Sequence, residues 1–251
     1  MGSIPSRSTI HTYIMFTKKL IVLLLFLSCN VSAANKITAQ SWLVTNEAGR
    51  IIQGEKYDVV RSIASITKLM TVMVVLDAKQ DLDEYIKPYT RKELIQLMLV
   101  KSDNRAAEVL CEKYPYGRSA CIAAMNHKAQ DLGLTNTRYA DPSGLNIMNI
   151  STAEELVKIV IASSKYPEIV EASNMPQGKI KQKTGWVVFN NTNPLVATKD
   201  FIISKTGYIR ASGGCIVTML DTKIGRRIVV LLNSKNTYTR IPEANLIASL
   251  Y

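Results

Sequence analysis

Three short motifs place chemically useful side chains in order along the chain. The first, Ser65-Ile-Thr-Lys68, sets a hydroxyl and an ammonium three residues apart, a spacing that brings both onto one face of a helix. If the lysine is buried its pKa falls, because burial disfavours the charged form of an amine. A neutral Lys68 can take the proton of Ser65, so the motif predicts a serine nucleophile that needs no histidine.

The second motif, Ser102-Asp-Asn104, falls in a short break between two helical patterns, one ending near Val100 and the next beginning near Arg105. The Ser102 hydroxyl could relay a proton there, and the Asn104 amide could hold a substrate amide. The motif therefore predicts a proton relay beside a substrate anchor.

The third motif, Lys205-Thr-Gly207, ends a strand-like run. Lys205 would add a positive charge that keeps Lys68 neutral and attracts a substrate carboxylate. The Thr206 hydroxyl could hydrogen-bond that carboxylate. Gly207 would let a substrate backbone lie against the strand edge.

The chain holds a second Lys-Thr-Gly sequence at residues 183–185. It follows a polar stretch, whereas the copy at 205–207 leads into Tyr208 and a run of strand-forming residues. Because the chemistry needs an edge strand, we assign the function to the later copy and expect Lys183 to be a solvated loop charge. Each motif alone would arise about once by chance in a chain of this length, so the prediction depends on the order of the three motifs and on the elements that contain them.

The composition fits a compact globular protein, with 47% hydrophobic and 20% charged residues among 251. A net charge of +11 leaves nucleic acid, an anionic membrane surface and an acidic polymer open as partners. Only two histidines are present, which argues against a histidine-built zinc site, and no metal site is expected. His127 is expected to be a solvated surface residue.

The first 33 residues are typical of a secretory signal peptide. They contain three cations and no acid, then an apolar run at 20–27 and small residues at 31–34. The apolar run is shorter than the roughly 20 residues of a membrane-spanning helix, and no later stretch approaches that length. Met15 is an alternative start to Met1, and the alternatives to cleavage are an uncleaved anchor or a lipoprotein site at Cys29.

Cleavage after Ala33 would leave residues 34–251 as one catalytic domain, because no Gly-, Ser- or Pro-rich linker divides them. It would also remove the three cations of the leader, so the net charge falls from +11 to +8. We expect an exported, periplasmic protein that does not bind nucleic acid.

Three cysteines would remain in the exported chain, an odd number for an oxidising compartment. Cys111 and Cys121 lie on either side of Pro115 and Gly117, between two helical patterns. They could approach and form a disulfide, although spacing alone leaves free thiols open. Cys215 lies in a strand-like run and is expected to be a buried free thiol.

The elements that must position these motifs follow from hydrophobic periodicity. Strand-like runs occupy 41–45 and 51–53 near the start and 201–204, 215–220 and 227–232 near the end, while helical patterns occupy 63–78, 90–100, 119–132, 151–161 and 241–250. The helix at 63–78 is apolar almost all round, so we expect it to be buried on every side. Capping boxes starting at Thr90 and Ser151 open two others. Strands at both ends with helices between them predict an α/β fold whose terminal strands share one antiparallel sheet.

The sequence resembles the low-molecular-mass penicillin-binding proteins, in particular D-alanyl-D-alanine endopeptidases of the penicillin-binding protein 7 type. Five segments carry the resemblance: 61–71, 102–104, 141–145, 189–196 and 204–208. The order of the Ser-x-x-Lys, Ser-Asp-Asn and Lys-Thr-Gly motifs is shared by penicillin-binding proteins and class A β-lactamases. Aspartate between Ser102 and Asn104, together with Ser-Lys-Thr-Gly-Tyr at 204–208, points to the endopeptidase subgroup.

The resemblance implies a β-lactamase/transpeptidase-like fold, in which helices and a mainly helical lobe flank the antiparallel sheet. It implies a serine peptidase that cleaves D-Ala-diaminopimelate cross-links between peptidoglycan peptide stems through an acyl-enzyme. Ser65 would be the nucleophile, Lys68 its base and Ser102 the proton donor to the leaving amine. The residues that would bind substrate are Asn104, Lys205, Thr206, Gly207 and Tyr208.

The same resemblance implies that the backbone N–H groups of Ser65 and Tyr208 form an oxyanion hole. It implies no metal or organic cofactor, and it makes β-lactam antibiotics covalent inhibitors. Because the sequence ends soon after its last predicted helix, we expect neither the C-terminal domain and amphipathic anchor of the main carboxypeptidases nor a stable membrane anchor after cleavage.

Three alternatives remain open from the sequence. A carboxypeptidase that trims pentapeptides would break the same type of bond with a different leaving group. A class A-like β-lactamase should carry a Glu-x-x-Leu-Asn stretch between the second and third motifs, and no glutamate there lies in such a stretch. A non-catalytic wall-binding module would leave Ser65 and both motif lysines without a role.

Overall fold

The computed structural model describes residues 37–183, 185–199 and 201–251. The predicted signal peptide, 1–33, lies outside the described residues. From Thr38 to Tyr251 the chain forms one unit. Its strands are β1 (Ser41–Asn46), β2 (Ile51–Glu55), β3 (Arg61–Ser62), β4 (Tyr85–Ile86), β5 (Tyr89–Thr90), β6 (Ile150–Ser151), β7 (Gln177–Gln182), β8 (Gly185–Asn190), β9 (Phe201–Ile209), β10 (Gly213–Thr222) and β11 (Gly225–Ser234). Its helices are α1 (Lys68–Asp77), α2 (Arg91–Val100), α3 (Asn104–Glu112), α4 (Gly117–Asp131), α5 (Ala153–Ser163), α6 (Pro167–Asn174) and α7 (Arg240–Leu250).

The main sheet has five antiparallel strands in the order β2-β1-β11-β10-β9. β1 pairs with β11 from Ser41 opposite Leu232 to Asn46 opposite Arg227. Strands from the two ends of the chain are therefore hydrogen-bonded neighbours, which confirms the predicted shared sheet. The pairing leaves β9 as one edge, so the strand that contains the third motif has a free side.

The helix that begins at the first motif is buried as predicted, but it does not begin as a regular helix. A 3-10 turn, Ala64–Thr67, precedes α1, and Ala64 has the unusual φ of +47°. The predicted helix at 63–78 was therefore wrong in its first turn. All residues from Lys68 to Val75 are buried, because four other helices pack around α1.

Capping explains where two helices begin. Thr90 caps α2 with both bonds of a capping box, in which its hydroxyl accepts from the Glu93 N–H and the Glu93 carboxylate accepts from the Thr90 N–H. α5 is capped by Thr152, whose hydroxyl accepts from the Glu155 N–H. The predicted box at Ser151 was thus wrong by one residue, because Ser151 belongs to β6.

Two of the cysteines form a disulfide and a third is a free thiol. A disulfide joins Cys111, in α3, to Cys121, in α4, with a Cα–Cα distance of 5.3 Å. This settles the pairing that spacing left open. Cys215 is a buried free thiol in β10, as predicted.

The stretch between residues 165 and 200 contains elements that the sequence did not predict. α6 occurs there, followed by a separate two-stranded sheet in which β7 and β8 form a hairpin. Lys183 is exposed in the turn of this hairpin, as predicted. Lys205 lies in the middle of β9 and not at a strand end, because β9 continues through the third motif to Ile209.

The His127 side chain is 74% exposed and lies 3.1 Å from the Asp131 carboxylate, so it is a surface residue as predicted. Within the described ranges, no helix combines the length and apolar character that crossing a membrane would take.

The capping box predicts a measurable stability loss. Thr90→Ala leaves the Glu93 N–H without its side-chain acceptor and should lower the free energy of unfolding by about 1 kcal/mol. Thr90→Ser keeps the hydroxyl and should retain most of that stability. Urea unfolding of both variants measures the difference, and equal losses in the two variants would contradict the assigned cap.

Candidate active site

The buried ammonium of Lys68 is the centre of the site. Its Nζ donates to the Ser65 Oγ at 2.8 Å and to the Asn104 Oδ1 at 2.8 Å. A third, short hydrogen bond runs to the carbonyl oxygen of Ser143. The first and second motifs therefore meet at one atom, as their order along the sequence predicted.

The 3-10 turn aims Ser65 at this lysine. Ser65 is half-buried, and its hydroxyl lies 3.3 Å from the Ser143 carbonyl as well as beside Lys68. The contact with Lys68 spans three residues, the spacing that places both side chains on one face of a helical turn. The serine oxygen thus lies between an amine and a carbonyl, and its proton can pass to the amine when that amine is neutral.

A tight loop after α4 holds the Ser143 carbonyl in place. The Asp141 carboxylate accepts from the N–H groups of Ser143 at 2.7 Å and Gly144 at 2.6 Å, and from that of Asn146. Burial would raise the pKa of Asp141, but these hydrogen bonds outweigh burial and hold it below its usual range. The negative charge of Asp141 is therefore stabilised by N–H groups of its own loop.

The loop also touches the nucleophile's backbone. A Cβ added at Gly144 would lie 2.8 Å from the Ser65 nitrogen and nearer still to the Ala64 carbonyl oxygen, and Gly144 has φ +84°. Both the space and the backbone conformation therefore require glycine there.

The second motif spans the break between α2 and α3. Ser102 has φ +62°, which is unusual for a residue other than glycine. Asp103 caps α3 by accepting from the Ala106 N–H at 2.9 Å, and Asn104 is the first helical residue. The cap fixes the direction of the turn, so Ser102 and Asn104 both face the cleft lysines.

Lys205 completes the cleft from the side of the sheet. Its Nζ donates to the Ser102 Oγ and to the Thr206 carbonyl, both at 2.8 Å. The Thr206 hydroxyl donates to the Thr192 hydroxyl at 2.7 Å. The third motif therefore contacts the second directly, and Ser102 lies between the two cleft walls.

Gly207 allows β9 to approach the nucleophile. A Cβ there would lie 3.0 Å from the Ser65 nitrogen and 2.9 Å from the Ile63 carbonyl oxygen. The adjacent Tyr208 side chain is 50% exposed. Contacts and close approaches thus join seven of the eight predicted site residues, and Tyr208 follows Gly207 in β9.

Burial controls the protonation of both lysines. Burial lowers the pKa of Lys68 to about 7, although Asp141, Asp103 and Glu108 act in the opposite direction. Burial also holds the pKa of Lys205 well below its usual range, and the charges of Lys68 and Arg240 lower it further. We expected Lys205 to keep Lys68 neutral; instead, burial is the main cause at Lys68, and the repulsion lowers the pKa of Lys205.

Several groups that build the site could not be identified from the sequence. The Ser143 carbonyl and the Thr192 hydroxyl lie in segments whose resemblance was noted but whose contacts were not predicted. Arg240, at the start of α7, is largely buried and donates to the Gly207 carbonyl at 2.5 Å. Asn149 donates to the Thr67 hydroxyl and to the Asp141 carbonyl, both at 3.0 Å, and so ties the loop to the 3-10 turn.

Comparison with known sequences gives a consistent result. The chain matches the family described as D-alanyl-D-alanine carboxypeptidase over residues 28–88 and 82–236. It is 34% identical to a D-alanyl-D-alanine endopeptidase of Pseudomonas aeruginosa, over 92% of this chain and 87% of that protein. It is 37% identical to a D-alanyl-D-alanine endopeptidase of Escherichia coli K12, over 83% of this chain and 75% of that protein.

A solved structure supports the same fold. The DD-transpeptidase of Streptomyces K15 superposes with a TM-score of 0.77 at 26% identity, covering 85% of this chain and 96% of that one. The predicted transpeptidase-like α/β architecture is therefore confirmed.

The loop contact at Gly144 can be tested by substitution. Gly144→Ala should cost about 3 kcal/mol of unfolding free energy, because its methyl group meets the backbone of Ala64 and Ser65 in addition to backbone strain. Gly133→Ala is a matched control, since Gly133 also has positive φ, +67°, but open space around it. That control should lose only about 1 kcal/mol.

Urea unfolding of the two glycine variants measures this difference. A Gly144→Ala chain that fails to fold while Gly133→Ala folds would support the contact as well. Equal losses of unfolding free energy in the two variants would show that Gly144 does not contact the backbone of Ala64 and Ser65.

Proposed function

The chain belongs to the D-alanyl-D-alanine carboxypeptidase family of serine peptidases, and from that premise we propose that it is an endopeptidase that cleaves D-Ala-diaminopimelate cross-links in peptidoglycan. The contact between the Lys68 Nζ and the Ser65 Oγ carries the proposal, because it joins a nucleophile to a buried base. The relatives named D-alanyl-D-alanine endopeptidase support the choice of cross-links over pentapeptide ends.

Ser65 opens the reaction by attacking the carbonyl of the D-alanyl bond. Lys68 takes the hydroxyl proton as the Oγ–carbon bond forms. Because burial lowers the pKa of Lys68 to about 7, roughly half of the molecules carry a neutral amine at neutral pH. An ordinary lysine would be neutral in fewer than about one molecule in a thousand there.

The N–H groups of Ser65 and Tyr208 stabilise the oxyanion of the tetrahedral intermediate. The close approach of Gly207 to the Ser65 nitrogen supports this pairing, since it sets β9 beside the nucleophile's N–H. Donors that are fixed before the reaction need no reorganisation as charge develops, which is the basis of their effect on rate.

Ser102 delivers the proton to the leaving amine. Its hydroxyl accepts a hydrogen bond from Lys205, which leaves its own proton free for the leaving nitrogen, and as that proton leaves, the Ser102 oxygen takes one from the Lys205 ammonium. Asn104 uses its Oδ1 on Lys68, so its Nδ2 is the atom that donates to a substrate carbonyl. Water then attacks the acyl-enzyme and releases the D-alanyl product.

Lys205 and Thr206 bind the carboxylate that follows the scissile amide. Lys205 is buried without a bonded carboxylate among the described residues. The Arg240 guanidinium donates to the Gly207 carbonyl of the same strand, β9. A substrate carboxylate would favour the charged form of Lys205, which burial disfavours. It could also accept from the Thr206 hydroxyl, if that hydroxyl turns away from Thr192. β-Lactams carry a carboxylate near their reactive carbonyl and are expected to acylate Ser65 in the same orientation.

We further propose that residues 1–33 direct export and that residues 34–251 act in the periplasm as one catalytic domain, with no stable membrane anchor after cleavage. The charge pattern of residues 1–33 supports this assignment. The disulfide between Cys111 and Cys121 fits an oxidising compartment.

Digestion of purified muropeptides tests the proposed activity. The protein should convert cross-linked dimers to monomers, measured by mass spectrometry, and Ser65→Ala should not. Ser249→Ala, an exposed serine in α7, is the matched control and should retain full activity. Trimming of monomeric pentapeptides while dimers remain intact would identify a carboxypeptidase instead.

A further inference from the structure

The hairpin of β7 and β8 has one face in the protein and one in solvent. Ile180 and Phe189 are buried on the inner side, and α2 packs against both strands. A Cβ at Gly178 would overlap the Phe189 ring, so the inner face is closely packed. This packing makes the hairpin a fixed platform for its outer face.

The outer face combines lysines with exposed apolar side chains. Residues directly opposite each other in antiparallel strands share a face, and the outward pairs are Gln177 with Asn190, Lys179 with Val188 and Lys181 with Trp186. The Trp186 side chain is 64% exposed and Val188 is 50% exposed. We call these six residues the hairpin face.

The hairpin face has an excess of positive charge. Residues 177–190 contain three lysines and no acid. Within the described ranges, neither Lys179 nor Lys181 forms an ion pair with a carboxylate. An exposed tryptophan beside unpaired cations adds nothing to the core, and such patches mark interaction surfaces.

The hairpin face is continuous with the cleft. The Asn191 N–H closes the base of the hairpin on the Pro176 carbonyl at 2.9 Å. Next along the chain, the Thr192 N–H donates to the carbonyl of Val100 at 3.1 Å, and its hydroxyl accepts from Thr206 at 2.7 Å. At about 3.3 Å per strand residue, the face extends from this point for roughly 20 Å to Trp186.

We propose that the hairpin face binds the glycan strand of peptidoglycan and its acidic peptide stems, outside the catalytic cleft. The inference rests on the proposed function, which brings that polymer to Thr206. The indole of Trp186 and the side chain of Val188 provide an apolar surface for the C–H faces of sugar rings, and Lys179 and Lys181 pair with stem carboxylates. Binding there retains the polymer beside the cleft between successive cleavages.

Co-sedimentation with purified insoluble cell walls tests the proposal in the Ser65→Ala background, where no cleavage disturbs binding. Trp186→Ala and the double variant Lys179→Glu/Lys181→Glu should each bind at least about fivefold more weakly. The defect of the lysine variant should shrink as salt is added, because exposed charges are screened.

Two control variants are matched in chemistry. Tyr85→Ala removes an aromatic that is 65% exposed in β4. Lys199→Glu/Lys223→Glu makes the same charge change at two exposed lysines outside the hairpin. Both controls should bind walls as strongly as the parent chain does. If the charge control loses as much binding as the hairpin lysine variant, the attraction is unspecific and the proposal is wrong.

Tryptophan fluorescence gives an independent readout. The chain has two tryptophans, and Trp42 is only 9% exposed, so acrylamide quenching reports mainly on Trp186. Soluble glycan strands should protect this fluorescence from quenching. If vesicles of anionic phospholipid protect it and glycan strands do not, the face is a membrane-binding surface and the proposal is wrong.

Activity measurements separate this inference from the proposed function. With Ser65 present, the hairpin variants should cleave small muropeptide dimers at the parental rate but lose activity on intact walls. Failure of the parent chain to cleave dimers would contradict the proposed function. Parental cleavage of dimers with equal wall binding in every variant would contradict the hairpin face alone.

Discussion

The burial of one amine is the constraint on which the rest of the site depends. The Lys68 side chain has no solvent exposure, so each of its N–H bonds needs a partner inside the protein. Those partners come from three separate segments: the 3-10 turn supplies Ser65, the start of α3 supplies Asn104, and the loop after α4 supplies the carbonyl of Ser143. The desolvation that these segments impose lowers the pKa of Lys68 to about 7 and makes the amine a base.

Neither lysine of the cleft bonds a carboxylate among the described residues, which suits an anionic substrate. Lys68 and Lys205 are both buried, and Arg240 lies behind β9. The nearest carboxylate in the loop, that of Asp141, accepts hydrogen bonds from its own loop and does not contact either lysine. A carboxylate of the substrate would therefore be the partner that favours the charged form of Lys205, and the lysines of the hairpin add positive charge outside the cleft.

Local features of the site could be predicted from the sequence, whereas long-range contacts could not. The Ser65–Lys68 contact follows from helical spacing, and the shared sheet follows from strands at both ends of the chain. The Ser143 carbonyl was missed because a backbone group leaves no trace in a pattern of side chains. The hairpin was missed because β7 buries only Gly178 and Ile180 among polar residues, so its strand pattern resembles a solvated loop.

The pH dependence of acylation tests the role of Lys68 most directly. The rate constant for acylation by a labelled penicillin, measured from about pH 5 to about pH 10, should rise about tenfold per pH unit below pH 7 and level off above it. Lys68→Arg, which stays charged throughout this range, should not be acylated. A rate that keeps rising tenfold per unit to about pH 9 would indicate an amine of ordinary pKa and would contradict the buried base.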